Sequence, residues 1–364
     1  MKIIFFTPED VDGSASSRFR VHQFLSTFEA ENITCVFSPF VNKGLKKYYF
    51  SRSLMAIPFK VFFFMLAFFK RFIDLFKVLD CDLVFIHRNI VPLGPELFAF
   101  IIKKVMRKPI VFDFDDAIYL SVTSKANNYI KWIKLNKLRT RQNVQLADYV
   151  IAGNRTLAEY ARQYNDKGTI IPTVVDMKIN TKPSPDNKTS GKKITIGWAG
   201  SYGTTPFIDL VRSALIKLLL KFPDLEVVLQ GYTGELKLER LKIVPWSLDT
   251  ERACWSTFDI GINPLPDNEF TRGKCGFKIV QYMALGIPSV VSPVAANAEI
   301  LENGEQGFWA NNEEEWIEKL SLLIRDGALR KKIGQAARQR AEQRYSIDAV
   351  KSKYLKIFHE ATVK

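Results

Sequence analysis

Three carboxylates, Asp113, Asp115 and Asp116, crowd into four positions directly after the apolar run Ile110-Val111-Phe112. A strand that ends in acids presents them at the carboxyl edge of a sheet, where open α/β sheets bind their ligands. One such acid can be surface decoration. Three together are costly unless they receive hydrogen bonds, cations or a metal, so the pattern marks a site. His87 follows a second expected strand, residues 82–86, and would reach the same edge; a lone histidine also fits a purely structural role.

Arg272, Lys274 and Lys278 lie in the stretch FTRGKCGFKIVQYMALGIPSVVS, residues 270–292. Cations beside glycines at a helix start add to the backbone N–H groups and can stabilise a departing diphosphate. A nucleic-acid patch could use the same cations but would not need the apolar helix that follows. Upstream, Ile196-Gly197-Trp198-Ala199-Gly200-Ser201-Tyr202-Gly203 runs a strand into a glycine turn. Its spacing is G-x-x-G-x-x-G and not the dinucleotide G-x-G-x-x-G, so nicotinamide binding is weakly supported while a diphosphate at Gly200-Ser201 is sensible. Near the start, Gly13, Ser14 and Ser16 are small residues that let a ligand approach backbone N–H groups, with Arg18 and Arg20 following. The alternative is a plain strand-to-helix turn capped by Ser14, Ser16 or Ser17.

The elements that must position these groups follow from the alternation of the chain. Apolar runs at residues 3–6, 83–86, 110–112 and 149–151 read as strands separated by helical patterns, and a second series follows at 194–198, 225–230, 260–263 and 289–292. Such alternation predicts parallel sheets covered by helices. The chain has 364 residues, too many for one ordinary core at about 150 residues per domain, so two lobes are expected. Residues 181–193 have no apolar side chain and two prolines, which is linker chemistry and places the boundary there. The four cysteines show no C-x-x-C spacing, which argues against a zinc site or a disulfide framework and fits a reducing compartment. The first residues lack the long apolar core of a signal peptide and read as a buried strand.

The net charge is +14, and residues 1–180 carry 26 Lys and Arg against 16 Asp and Glu, so the first lobe is expected to face something acidic. Residues 54–79 are rich in Phe but interrupted by Pro58, Lys60, Lys70 and Arg71. No stretch reaches the roughly 18–20 apolar residues of a spanning helix, so the segment is expected to lie on an anionic membrane, its aromatic face in the interface. The alternative is a core helix with a solvated basic edge. Residues 125–141, with six cations and no acid, could extend the same surface.

The R-G-K-C-G-F-K run at 272–278, followed by Q-Y-M-A-x-G-x-P and then Ser292-Pro293-Val294, resembles retaining glycosyltransferases of family 4. Residues 197–201, 259–265, 147–152, Ile171-Pro172 with Val175-Asp176, and the loop at 14–20 resemble the same group, in the same order along nearly the whole chain. The resemblance implies an α/β fold of the GT-B type: two Rossmann-like, doubly wound parallel-sheet domains facing a central cleft. Residues 1–185 would bind the acceptor and face a membrane, 186–345 would bind the nucleotide-sugar donor, and 346–364 would form a C-terminal helix packing back on the first domain. It further implies that Gly200, Ser201, Arg272, Lys274, Gly276 and Lys278 hold the donor, with Gln281 where relatives place a Glu that contacts the ribose. Asp115, Asp116 and His87 would be the catalytic groups, and Gly13, Ser14, Ser16, Arg18 and Arg20 would serve the acceptor or its loop.

No metal and no cofactor are implied beyond the nucleotide sugar itself. The implied partners are a lipid-linked or oligosaccharide acceptor and an anionic membrane surface, not nucleic acid, with the protein at the inner face of the cell membrane in the cytoplasm. Two departures from the family pattern stand out: Gly273 and Gln281 occupy the two positions of its E-x7-E pair, and residues 200–207 lack its Arg and Lys. Three rivals stay open. A D-x-D after a strand also serves metal-dependent GT-A transferases. A sugar-nucleotide 2-epimerase shares the two-lobe fold, and a basic nucleic-acid-binding protein would account for the charge alone.

Overall fold

The apolar runs pair side by side as parallel strands because each is buried on both faces by helices, which leaves no room for the polar alternation of a half-solvated sheet. The computed structural model describes residues 1–11, 15–42, 57–120, 134–179, 193–236 and 238–363. Gly13, Ser14, the linker residues 180–192 and the basic residues 43–56 and 121–133 lie outside the described residues. The chain divides into two compact units, Met1–Thr173 with Val350–Lys364, and Val174–Ala349.

In the first unit six strands follow the spatial order β2-β1-β3-β4-β5-β6, all parallel. They are β1 (Lys2–Glu9), β2 (Thr34–Val41), β3 (Leu83–His87), β4 (Ile110–Phe114), β5 (Tyr149–Ala152) and β6 (Gly168–Ile170). The order reverses between β1 and β3. A sheet with this reversal opens a crevice beyond the carboxyl ends of the two strands, because the segments leaving them cross to opposite sides. The C-terminal helix packs on this unit through rings: Tyr354 stands 4.9 Å from Phe24, and Phe358 lies 5.2 Å from Phe28 and 6.0 Å from Phe85.

The helix Ile57–Leu79 packs beside β2. Its inward face is Ala67, Arg71, Asp74 and Val78, at the i, i+4, i+7, i+11 spacing of one helical stripe. Arg71 and Asp74 are fully buried and paired at 2.9 Å; Arg71 also donates to Ser38 Oγ at 2.8 Å and to the Ile90 carbonyl at 3.1 Å. The charge expected to face solvent or headgroups at Arg71 is therefore turned inward, where Asp74 supplies its counter-charge and Ser38 and the Ile90 carbonyl accept from it. Arg139, counted in the basic stretch 125–141, is likewise buried, 3.6 Å from Glu96 and hydrogen-bonded to Pro92. Among the described residues no helix is long and apolar enough to cross a membrane.

In the second unit the order is β12-β11-β10-β7-β8-β9, again parallel throughout, with the reversal between β7 and β10. The strands are β7 (Ile194–Ala199), β8 (Leu225–Gln230), β9 (Leu241–Val244), β10 (Ile260–Asn263), β11 (Ser289–Val291) and β12 (Gly307–Trp309). The unit begins at Val174, ahead of the linker at which the sequence places the boundary. Val175 explains the difference: it is fully buried among Ile279, Met283 and Tyr345, and its N–H donates to the Tyr345 carbonyl at 3.0 Å.

Candidate functional site

In the first unit the site is built on the reversal between β1 and β3 and on β4 beside it. Parallel register sets His87, the last residue of β3, opposite Asp113 on β4. Its Nδ1 lies 2.7 Å from Asp113 Oδ2, and both side chains are fully buried. The helix Ala15–Arg20, which follows β1, brings Ser16 and Arg20 to the same edge. Arg20 donates to both Asp113 oxygens, with Nε at 3.2 Å from Oδ2 and Nη2 on Oδ1, and its Nη1 donates to the Ile171 carbonyl at 2.7 Å. Ser16 Oγ does not cap its helix. It sits 2.7 Å from His87 Nε2 and 2.6 Å from Asp115 Oδ2. A hydroxyl carries one proton, so Ser16 donates only one of these two bonds.

Arg88 completes the network. It has a left-handed backbone, φ 63°, held by its N–H on the Asp113 carbonyl at 2.8 Å. From there Nε and Nη2 both reach Asp115 Oδ1 at 2.7 Å, and Asp116 lies 3.9 Å away. A left-handed backbone at a bulky residue costs about 1–3 kcal/mol and persists only where the surroundings over-determine it. The chain of contacts therefore runs Arg20, Asp113, His87, Ser16, Asp115, Arg88, Asp116.

Burial pushes the Asp113 and Asp115 carboxyls up, but the opposite charges outweigh it. Arg20 with His87 holds Asp113 below the ordinary carboxylate range, and Arg88 with His87 and Arg20 holds Asp115 well below it. Reciprocally, burial lowers the Arg20 and Arg88 guanidiniums and their aspartates raise them above the usual value. Both carboxylates are thus ionised at neutral pH. Asp115 and Asp116, with 10% and 26% of their side chains accessible, are the ones that a ligand can reach. They can accept from hydroxyls and stabilise positive charge; a carboxylate held this acidic is a weak base. Among the described residues no group of three or more His, Cys, Asp or Glu is arranged to hold a metal ion. The Arg18 guanidinium lies 4.4 Å from the Phe19 ring.

The second unit's candidates gather at its own reversal, in the segments that leave β7 and β10. After β7 the turn at Gly200 is tight enough that a Cβ would come within 2.2 Å of the Trp198 ring, and Ser201 N–H donates to Thr204 Oγ1 at 3.0 Å. Lys278, in the first turn of the helix Phe277–Ala284, sets its ammonium 5.8 Å from that same Trp198 ring. Trp198 thus links the Gly200 turn to Lys278. Gly276 caps the helix at φ 59°, and a Cβ there would come within 2.3 Å of Ile300 Cδ1. Buried Asn297 and Asn263 brace this loop, 3.3 Å apart, while Asn297 donates to the Ser292 carbonyl at 2.9 Å.

The other cations are placed differently. Arg272 is turned to Asp267, at 2.6 Å and 3.0 Å, with both side chains more than half exposed. Lys274 lies 4.3 Å above the Phe270 ring, and Gln281 is buried on the helix that carries Lys278. Sequence reasoning missed Arg88, Trp198 and the Asn263–Asn297 brace. For Arg88 a signal existed: three adjacent acids require cations, and it follows a strand that reaches the same edge.

Residues 193–326, within the second unit, match the family model for glycosyl transferases group 1. A search among curated proteins returns no match. Among solved structures, Anabaena HepE in complex with UDP and glucose is similar at TM-score 0.71 and 14% identity, covering 99% of this chain and 100% of that one. A glycosyltransferase from Rickettsia africae is similar at TM-score 0.69 and 17% identity, covering 100% and 99%. Sucrose-phosphate synthase from Thermosynechococcus elongatus follows at 0.67 and 12%, covering 99% and 98%. The fold is of the GT-B type, two six-stranded parallel sheets with flanking helices. The family match and this fold support a glycosyltransferase.

Proposed function

We propose that the protein is a retaining, metal-independent glycosyltransferase that moves a sugar from a nucleoside-diphosphate donor to a lipid-linked saccharide. It would act in surface polysaccharide or glycolipid synthesis, at the cytoplasmic face of a cell membrane. One observation carries the reading: the segment that matches the group 1 family model contains both the Gly200 turn and the Lys278 helix start, flanking the reversal of the second sheet. A diphosphate fits there, because the N-terminus of the helix Phe277–Ala284 and the Lys278 ammonium supply positive charge without a metal, while the tight Gly200 turn leaves room for close approach. Anabaena HepE, with the same fold, binds UDP-glucose.

In this reading the acceptor hydroxyl attacks the anomeric carbon on the face from which the diphosphate departs, and the leaving phosphate oxygen takes the hydroxyl proton. The sugar–phosphate bond breaks as the new glycosidic bond forms. No strong side-chain base is needed, which suits the weakly basic Asp115. Asp115 and Asp116 orient the hydroxyls and stabilise oxocarbenium-like charge, and His87 with Asp113 fixes Asp115 through Ser16.

A screen of UDP- and GDP-sugars in EDTA, with and without a lipid-linked acceptor, tests the reading. Release of nucleoside diphosphate that rises with acceptor supports it, and turnover only with added divalent metal opposes it. A 2-epimerase is the second reading, favoured by the likeness to a putative UDP-N-acetylglucosamine 2-epimerase from Listeria monocytogenes at TM-score 0.55. Conversion of free nucleotide sugar with no acceptor present would select it.

A further inference from the structure

The helix Ile57–Leu79 is amphipathic in the reverse of the usual sense. Its buried stripe carries the ion pair Arg71–Asp74, while Phe59, Phe62, Phe69 and Phe76 face outward with 54%, 57%, 58% and 73% of their surface exposed. A helix of a water-soluble surface shows the opposite arrangement. The orientation is fixed by Arg71 and Asp74, whose bonds to Ser38 and, from Arg71, to the Ile90 carbonyl would be lost if the helix rolled. The apolar patch continues onto the neighbouring helix. Phe98 packs against Phe68 and Phe72 at 5.4 Å and 5.1 Å, and Leu97, Phe100 and Val105 beside it are exposed. Contiguous exposed apolar surface of this kind marks an interaction site.

Charge identifies the occupant. The only acid on the helix, Asp74, is buried and paired with Arg71 and Lys77, whereas Lys60 lines the helix and Lys104 and Arg107 stand exposed in the adjoining segment. Cations bordering an aromatic face match a sheet of anionic headgroups over an acyl layer. A second copy docking through a two-fold axis would bring the same cations against one another. We propose that this face docks on an anionic lipid bilayer, its Phe side chains entering the interface and its cations meeting the headgroups. The helix lies on the surface without crossing it, and Arg71 ties it to the loop after β3 that carries Arg88. This deepens the membrane part of the proposed function and rests on that part alone, independent of sugar transfer.

Flotation of the full chain with vesicles of phosphatidylcholine, with and without about one-third phosphatidylglycerol, tests the proposal. The parent should float with the anionic vesicles and less so in roughly 0.5 M salt. A variant carrying Phe62→Glu, Phe69→Glu and Phe76→Glu should bind at least about tenfold more weakly. Leu220→Glu, which alters an 81% exposed apolar residue of the second unit, should bind as the parent does. A second variant, Lys60→Glu with Lys104→Glu and Arg107→Glu, keeps the apolar face and should lose the preference for anionic vesicles. The idea is overturned by a parent that does not float, by a triple Phe variant that floats equally, or by a micromolar dimer that the triple variant dissolves. UDP titration on the same samples separates the two claims: flotation without UDP binding sinks only the transferase, and UDP binding without flotation sinks only the docking face.

Discussion

Arg88 Nε lies 2.7 Å from Asp115 Oδ1, a contact made from a left-handed backbone at the end of β3 to the residue that follows β4. The pair ties two neighbouring strand ends together at the open edge of the sheet and keeps Asp115 ionised. Arg88→Ala should therefore release Asp115 and Asp116 as a repelling pair. We expect sugar transfer to fall by about 100-fold, roughly the effect of losing one preorganised electrostatic contact. Arg88→Lys should restore only part of it, because a single ammonium cannot reproduce the two-nitrogen contact. Steady-state rates with the donor found in the screen check both.

Asp113 is the most deeply committed carboxylate, since it serves Arg20 and His87 at once with no exposure of its own. Replacing it by Asn leaves Arg20 buried without its counter-charge. Removing one partner of such a pair costs about 3–5 kcal/mol, which urea unfolding at neutral pH would register directly. The pH dependence has a definite sign. With a folded-state value below the unfolded one of about 3.9, Asp113 contributes stability that is present above that pH and lost as the pH falls toward the folded value. Acid unfolding of the parent should steepen below about pH 4, and that segment of the curve should flatten in the Asn variant.

Glu96 has the opposite sign. Burial raises its carboxyl to about 7 despite Arg139 nearby. The folded state holds a proton that the unfolded state has released, so stability falls as the pH rises from about 4.5 to 7 and is level above. The drop attributable to this group is on the order of 3 kcal/mol. Glu96→Gln should remove most of it, seen as similar urea midpoints at pH 5 and pH 8 where the parent's differ.

Much of the frame was legible in the sequence. Every central strand announced itself as an apolar run, because it is buried on both faces. The four strands that did not, β2, β6, β9 and β12, are the edges of the two sheets. An edge strand is partly solvated: β9 alternates Lys242 with apolar neighbours, and β2 accommodates Ser38 and Pro39, so neither reads as a continuous apolar run. The acids after β4 and the loop at 272–278 were visible because their residue types are costly without partners. Which partners they take was not. Arg88 depends on a local backbone turn, Arg71 turns inward to Ser38 and the Ile90 carbonyl, Arg139 turns inward to distant Glu96, and Arg272 finds Asp267 five residues away. All four are long, flexible side chains whose direction is set by tertiary contacts.

Gly276 should tolerate no side chain. Its backbone lies in the left-handed region and the space where a Cβ would go is taken by Ile300. Gly276→Ala is expected to cost about 1–2 kcal/mol and to shift the helix start that carries Lys278, so thermal stability and UDP affinity should fall together.

A diphosphate cradled by the Gly200 turn and Lys278 requires metal-independent binding of a nucleoside diphosphate. Calorimetric titration of UDP and GDP into the full chain in EDTA measures it most directly, with Lys278→Ala as the partner experiment. Saturable binding of one nucleotide, weakened about tenfold or more by the substitution, is the predicted result. Absence of binding by both, or equal affinity in parent and variant, would contradict it.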